Sequence, residues 1–204
     1  RVLFRSGRQI LDDELAHLGI SLKEAEKHLL PRYSFNELDE LLAAKERRAA
    51  RQADMLAHYQ QPVISLTLVT PGEIKDSLRY RNTMGVALQM CDQLLWENRW
   101  QVLDRQVLWL PTGPEAIWCV AHPAVEIKAH CAELEQTHPL GRLWDLDVIC
   151  PQHGHVGRQS LGTNLRRCLI CDEPAHACSR SRNHPVEQVT ARVEKMIDDW
   201  FARD

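Results

Sequence analysis

Apolar and polar positions divide the chain into alternating short elements. Between residues 36 and 59, Leu38, Leu41, Leu42 and Met55 recur near helical spacing, with Asn36 as N-cap and a cationic stretch from Lys45 to Arg51. Pro62 ends that helix, and the β-branched run at 63–69 predicts a strand. After the break at Pro71-Gly72, Asp76 or Ser77 caps a helix reaching about Asn98, with Met84, Leu88, Cys91 and Leu95 on one face. Strands are expected at 101–110 and 116–121, paired across a turn from Pro111 to Pro114. Pro123 opens a helix to about Gln136, and a further strand is expected at 143–150. Over 151–184 no period survives, and Cys, His, Arg, Gly and Pro dominate. Pro185 then opens an amphipathic helix with Val186, Val189, Val193 and Ile197 on one side. This order predicts an α+β fold: a mixed β-sheet with packed helices, plus an irregular Cys/His/Arg-rich appendage.

Composition narrows the class. With 204 residues, 44% hydrophobic and 26% charged, the chain has the make-up of one ordinary globular domain. A net charge of −3 argues against non-specific nucleic-acid binding, so no nucleic-acid partner is expected. No apolar run approaches a membrane span, and no membrane partner is expected. Seven cysteines, an odd number, and the lack of a secretory signal point to the cytoplasm, with free thiols or a metal site instead of disulfides. Residues 1–33 read as a leader or a translated flank, leaving 34–204 as a single domain that contains the appendage at 151–184.

The densest chemistry lies in HPLGRLWDLDVIC, residues 138–150. On a strand, Asp145 and Asp147 point the same way, roughly 7 Å apart along the backbone, while Trp144, Leu146 and Val148 point into the core. Two such carboxylates can converge on Mg²⁺, with a phosphate substrate completing its shell. Arg142 can contact that phosphate, and Gly141 lets the backbone approach closely. The competing reading is a solvent-facing acidic edge paired with nearby cations. A second constellation, Cys168, Cys171, Cys178 and His184, has the ligands of a closed, structural zinc site, with His176 as a competing ligand. Its alternative is a group of buried thiols. Arg158, Arg166, Arg167, Arg180 and Arg182 form a basic group there, able to fork onto phosphate oxygens. Lys75 lies at a strand-to-helix junction suited to an anion, or to an ordinary helix cap. His153 and His155 flank Gly154 and read as surface loop, while Cys91, Cys119 and Cys131 read as core.

HPLGRLWDLDV (138–148) and RRCLICDEPAHACSRSRNH (166–184) resemble the holo-acyl-carrier-protein synthases of citrate lyase, the CitX family. ELLAAKERRAARQ (40–52), PGEIKDS (71–77) and residues 126–135 extend the likeness, which runs from about Ser34 to the end. The resemblance implies a transferase that takes 2′-(5″-triphosphoribosyl)-3′-dephospho-CoA as donor. It would attach the phosphoribosyl-dephospho-CoA group to a serine of the apo acyl carrier protein, the γ subunit of citrate lyase, and release diphosphate. It also implies a nucleotidyltransferase-like fold and Mg²⁺ held by Asp145 and Asp147. Arg142 would steady the phosphates, and His138 would either assist deprotonation of the serine or shape its loop. Gly141, Lys75, Arg166, Arg167, Arg180 and Arg182 become candidates for substrate binding, and the Lys45 to Arg51 cluster for docking an acidic carrier. A third carboxylate is not singled out among Glu115, Glu133 and Glu135. The rivals are the equivalent reaction on the malonate decarboxylase carrier and a non-enzymatic zinc-containing binding module. The absence of aromatic residues from 168–184 weighs against nucleic acid for the latter.

Overall fold

A computed structural model describes residues 35–158, 162 and 166–203; the expected leader or translated flank at 1–33 lies outside them. The chain falls into two compact units, Arg1–Arg51 and Gln52–Asp204. The boundary lies within the first described helix, α1 (Phe35–Tyr59), which starts one residue before Asn36, so Asn36 belongs to the first turn and is not its cap. The rest comprises β1 (Val63–Leu68), α2 (Leu78–Glu97), β2 (Gln101–Leu110), β3 (Gly113–Ala121), α3 (Ala124–Thr137), a 3₁₀ turn at Gly141–Leu143, β4 (Trp144–Cys150), β5 (Gly154–Val156), α4 (Ala175–Ser181) and α5 (Val186–Phe201). No described helix is long and apolar enough to cross a membrane.

The strands form one five-stranded sheet in the order β2-β3-β1-β4-β5. The α+β class is as expected, but every pairing is antiparallel, where a mixed sheet was expected. The reason lies in the connections. The helical crossovers α2 and α3 each join strands that run the same way, β1 to β2 and β3 to β4, and each skips one neighbour. The skipped strand fills the gap in the opposite direction, which is the ferredoxin-like split βαβ arrangement. The β2–β3 turn is shorter than expected: Pro114 already pairs with Trp109 and Gly113 with Leu110, leaving only Pro111 and Thr112 between the strands. Gly113 has φ +112°, a value that favours glycine.

The sheet's two faces differ. Ile64, Leu66, Trp118, Val120, Trp144, Leu146 and Val148 pack with Met84, Cys91, Leu95, Ile127, Cys131, Val193 and Ile197 from α2, α3 and α5 into the main core. The α2 cap is Ser77, whose hydroxyl accepts from the Tyr80 N–H, while Asp76 pairs with Arg81 at 2.6 Å. On the other face, Val63, Ile117 and Cys119 pack against Met55, Leu56 and Tyr59 of the last turns of α1. Gln52 Nε2 donates there to Ser65 Oγ at 2.8 Å. The appendage is less irregular than its composition suggests. A three-residue loop and Gly154 at φ +71° turn β4 back into β5, and α4 forms a short helix.

Candidate functional site

Strand alternation puts Asp145 and Asp147 together on the face that carries Ser65 and Thr67, their cross-strand partners on β1. Trp144, Leu146 and Val148 face the main core, as the pattern required. Asp147 is exposed. Burial of its surroundings, then the Asp145 charge, raise its carboxyl above the usual aspartate value, against the pull of Lys128, His155 and Arg166. Asp145 is partly exposed and accepts from Arg166 Nη1 at 2.7 Å.

That arginine belongs to a network at the open edge of β4. β5 covers only Val148 to Cys150, so the outward backbone groups of Leu146 have no strand partner. Side chains replace it. The Leu146 N–H donates to Glu135 Oε1 at 2.8 Å, and Lys128 Nζ donates to the Leu146 carbonyl at 2.6 Å. Glu135, only 2% exposed at the end of α3, also accepts from Arg158 and Arg166. Arg166 reaches the Trp144 carbonyl as well, at 3.2 Å. Burial opposes the Arg166 charge, but Glu135 and Asp145 outweigh it and hold the guanidinium more firmly protonated. Arg142 is half-buried and donates to the Arg167 carbonyl; burial, then Arg166 and Arg158, loosen its proton.

Other expected residues lie elsewhere. His138 stacks on Trp144 at 4.4 Å, on the core side of β4, and its Nδ1 accepts from the Leu140 N–H at 3.0 Å. Burial lowers its pKa, so the neutral ring that accepts this bond is favoured. Gly141 does permit a close approach, but to α3: a Cβ there would meet the Glu135 carbonyl oxygen at 2.5 Å. Lys75 Nζ bonds the Thr70 carbonyl at 2.6 Å in the loop after β1. Arg167 meets Asp172 at 3.3 Å, and Arg180 and Arg182 are exposed on and just after α4. Lys45 and Arg47 are exposed on α1. Of the three acids left open, Glu133 is exposed, and Glu135 shares Arg166 with Asp145. Glu115 precedes Ala116, the partner of Leu66, so alternation sets it on the Asp145 face, about 10 Å away across two strand spacings.

Sequence reasoning missed Lys128 and misjudged His155. Lys128 lies in a helix of mixed pattern, and nothing local reveals that it caps a strand edge. His155, read as loop, pairs with Ile149 on β5 and so shares the face of Asp147.

The second constellation assembles as expected. The ligand atoms of Cys168, Cys171, Cys178 and His184 all lie within 4.8 Å of one another, so the cluster can hold a metal ion. Cys171 Sγ is 3.5 Å from Cys178 Sγ and 3.2 Å from His184 Nε2. His176 is exposed and outside the set. Burial pushes the Cys178 thiol up to about 11; at Cys168 burial acts likewise, but N–H donors from Ile170 and Cys171 help bring the thiol below its ordinary value. Cys91, Cys119 and Cys131 are buried, as their apolar positions indicated.

A carboxylate pair bordered by guanidinium groups sets hard oxygen donors beside anion-binding forks on the sheet of an α+β fold. Comparison with known proteins is more particular. A family model described as "Apo-citrate lyase phosphoribosyl-dephospho-CoA transferase" (CitX) matches residues 36–200, and the chain belongs to that family. A protein of that name from Shigella flexneri serotype 5b (strain 8401) is 35% identical over 175 residues, 84% of this chain and 96% of the relative. Proteins of the same name from Escherichia coli O1:K1 / APEC and Escherichia coli O6:K15:H31 (strain 536 / UPEC) match with the same identity and coverage.

Proposed function

We propose that this chain is a cytoplasmic enzyme that transfers the phosphoribosyl-dephospho-CoA group from 2′-(5″-triphosphoribosyl)-3′-dephospho-CoA to a serine of the apo acyl carrier subunit of citrate lyase. The serine oxygen forms a bond to the α-phosphorus, the bond to the departing diphosphate breaks, and the serine proton is lost. The single observation carrying the site assignment is the projection of Asp145 and Asp147 onto one face of the sheet, with Asp147 exposed and Asp145 partly so, beside Arg166. Two hard oxygen donors with a raised carboxyl and like charges side by side suit Mg²⁺. When bound, Mg²⁺ supplies charge neutralisation for the triphosphate.

The chain's own groups do the rest. Arg166 is a guanidinium already aimed at this face, and it can exchange Asp145 for a phosphate oxygen while Glu135 keeps it in place. Arg142, tied to the Arg167 carbonyl, belongs to the same basic margin. Arg167, Arg180, Arg182 and Lys75 are candidates for the outer parts of the donor or for the carrier. The His138 ring is engaged by Leu140 and Trp144, which supports its loop-shaping role over a role as base. Cys168, Cys171, Cys178 and His184 form a closed set without an open position, which suits zinc in a structural role.

The experiment mixes purified protein, apo carrier, the triphosphoribosyl donor and Mg²⁺, and reads the carrier's mass. The carrier should gain the prosthetic group; EDTA should stop the gain, and Mg²⁺ alone should restore it. Asp145→Asn and Asp147→Asn should each lower the rate by at least about 100-fold while the protein stays folded. Full activity in both variants would remove the metal assignment. Modification of the malonate decarboxylase carrier in preference would reassign the acceptor.

A further inference from the structure

The four candidate metal ligands and the arginine on Asp145 belong to one short stretch of chain. Arg166 lies two residues before Cys168. The Ala175 N–H donates to the Arg166 carbonyl at 2.8 Å, the Cys168 N–H donates to the Glu173 carbonyl at 2.8 Å, and Arg167 bridges Pro174. These contacts close a tight hairpin whose first arm carries the Arg166 side chain to β4. Cys168 and Cys171 lie in the hairpin, Cys178 in α4, and His184 beyond it.

This stretch has little else to hold it. α4 has 7 residues, and a helix or hairpin of this size is marginal alone in water. Among the residues from 166 to 184, only Cys178 is counted in the buried apolar set, with Leu169 packed at the margin of the main core. Yet Arg166 must be placed closely enough to bond Asp145, Glu135 and the Trp144 carbonyl together. A cross-link among the hairpin, α4 and His184 removes the freedom that apolar packing does not. Tetrahedral zinc places sulfur ligands about 3.8 Å apart, from Zn–S bonds of about 2.3 Å, close to the 3.5 Å between Cys171 and Cys178.

We propose that zinc held by Cys168, Cys171, Cys178 and His184 locks the 166–184 segment so that Arg166 stays at the β4 edge, on Glu135 and within reach of Asp145. The metal is a positioning device for the acidic face and takes no part in the chemistry. The functional consequence rests on the transferase reading above, but the placement of Arg166 does not. A zinc site of three thiolates and one imidazole also has a distinct spectroscopic signature when Co²⁺ replaces Zn²⁺.

The test has three parts, none of them an activity assay. Elemental analysis of the protein purified without added metal should give a single zinc per chain, and exchange with Co²⁺ should give the visible bands of a tetrahedral, thiolate-rich site. Metal-free protein, or octahedral Co²⁺ without thiolate bands, overturns the site. Phenylglyoxal modification of Arg166, read by peptide mass, should then be about tenfold faster after zinc is stripped with a mercurial, a ratio corresponding to about 1.4 kcal/mol. Return of zinc after removal of the mercurial should restore protection. Equal modification of the loaded and stripped chains, with the sheet intact by circular dichroism, overturns the positioning role. Should stripping unfold the whole chain, the His184→Cys variant, which keeps four ligands, decides: it should retain both zinc and Arg166 protection, and loss of protection with zinc retained overturns the proposal. Failure of the carrier assay with these results intact would count against the transferase reading alone.

Discussion

Asp147 and Glu135 are both acids near β4, and their surroundings make them opposites. Asp147 is exposed beside a like charge, with a carboxyl raised above its unfolded value. A raised acid favours its protonated form in the fold, so it costs stability above the folded pKa, and that cost vanishes below the unfolded one. Asp147→Asn should therefore stabilise the chain at pH 7 by a few tenths of a kcal/mol, the scale of exposed charge pairs, and the gain should fade as the pH falls through the raised folded value and be gone below about 4. Urea midpoints at a series of pH values measure this; a gain that grew on acidification would contradict the assignment. Glu135 is buried and joined to Arg158, Arg166 and the Leu146 N–H. Glu135→Gln should cost about 2–4 kcal/mol, because it leaves two guanidinium groups without their shared carboxylate. A loss below about 1 kcal/mol in a denaturant titration would mean that the network is not the anchor of the β4 edge.

At the scale of elements, the decisive junction is between α3 and β4. The 3₁₀ turn presses Gly141 against the last turn of α3, and this sets the height at which Trp144 enters the sheet. Gly141→Ala must push apart backbone atoms, since the nearest contacts are the carbonyl oxygens of Glu135 and Leu134 at 2.5 and 2.8 Å. The expected loss is about 1–3 kcal/mol, seen as a lower melting temperature, and it should exceed the effect of alanine at Gly85, where a Cβ meets nothing within 4 Å. The strand at 143–150 and the apolar side of β4 were legible because alternation is a local property. The role of Gly141 was legible only as a need for close approach; its partner, α3, could not be named before the turn was folded onto it.

For the unit from Gln52 onward, stability is expected to be uneven. β1 and β3 lie inside the sheet, with Val63, Leu66, Trp118, Cys119 and Val120 fully buried, while residues 166–184 hold one short helix and few apolar anchors. Hydrogen exchange followed by mass spectrometry should show the amides of β1 and β3 exchanging slowest. The 166–184 segment should exchange by local opening well before them, and faster still after removal of metal. Uniform exchange across both regions would indicate a cohesion that these contacts do not account for.

Much of this protein was decided locally. Periods of two and near four set its strands and helices, prolines set their starts, and the Asp-x-Asp and Cys/His spacings marked two chemically active stretches, because each depends only on neighbours along the chain. Strand direction, the edge that β5 leaves open, the capping of Leu146 by Glu135 and Lys128, and the withdrawal of His138 to the core side were decided by tertiary structure. They depend on which strand fills the gap between two others, and on which side chains meet across distances that the sequence separates by 11 to 31 positions.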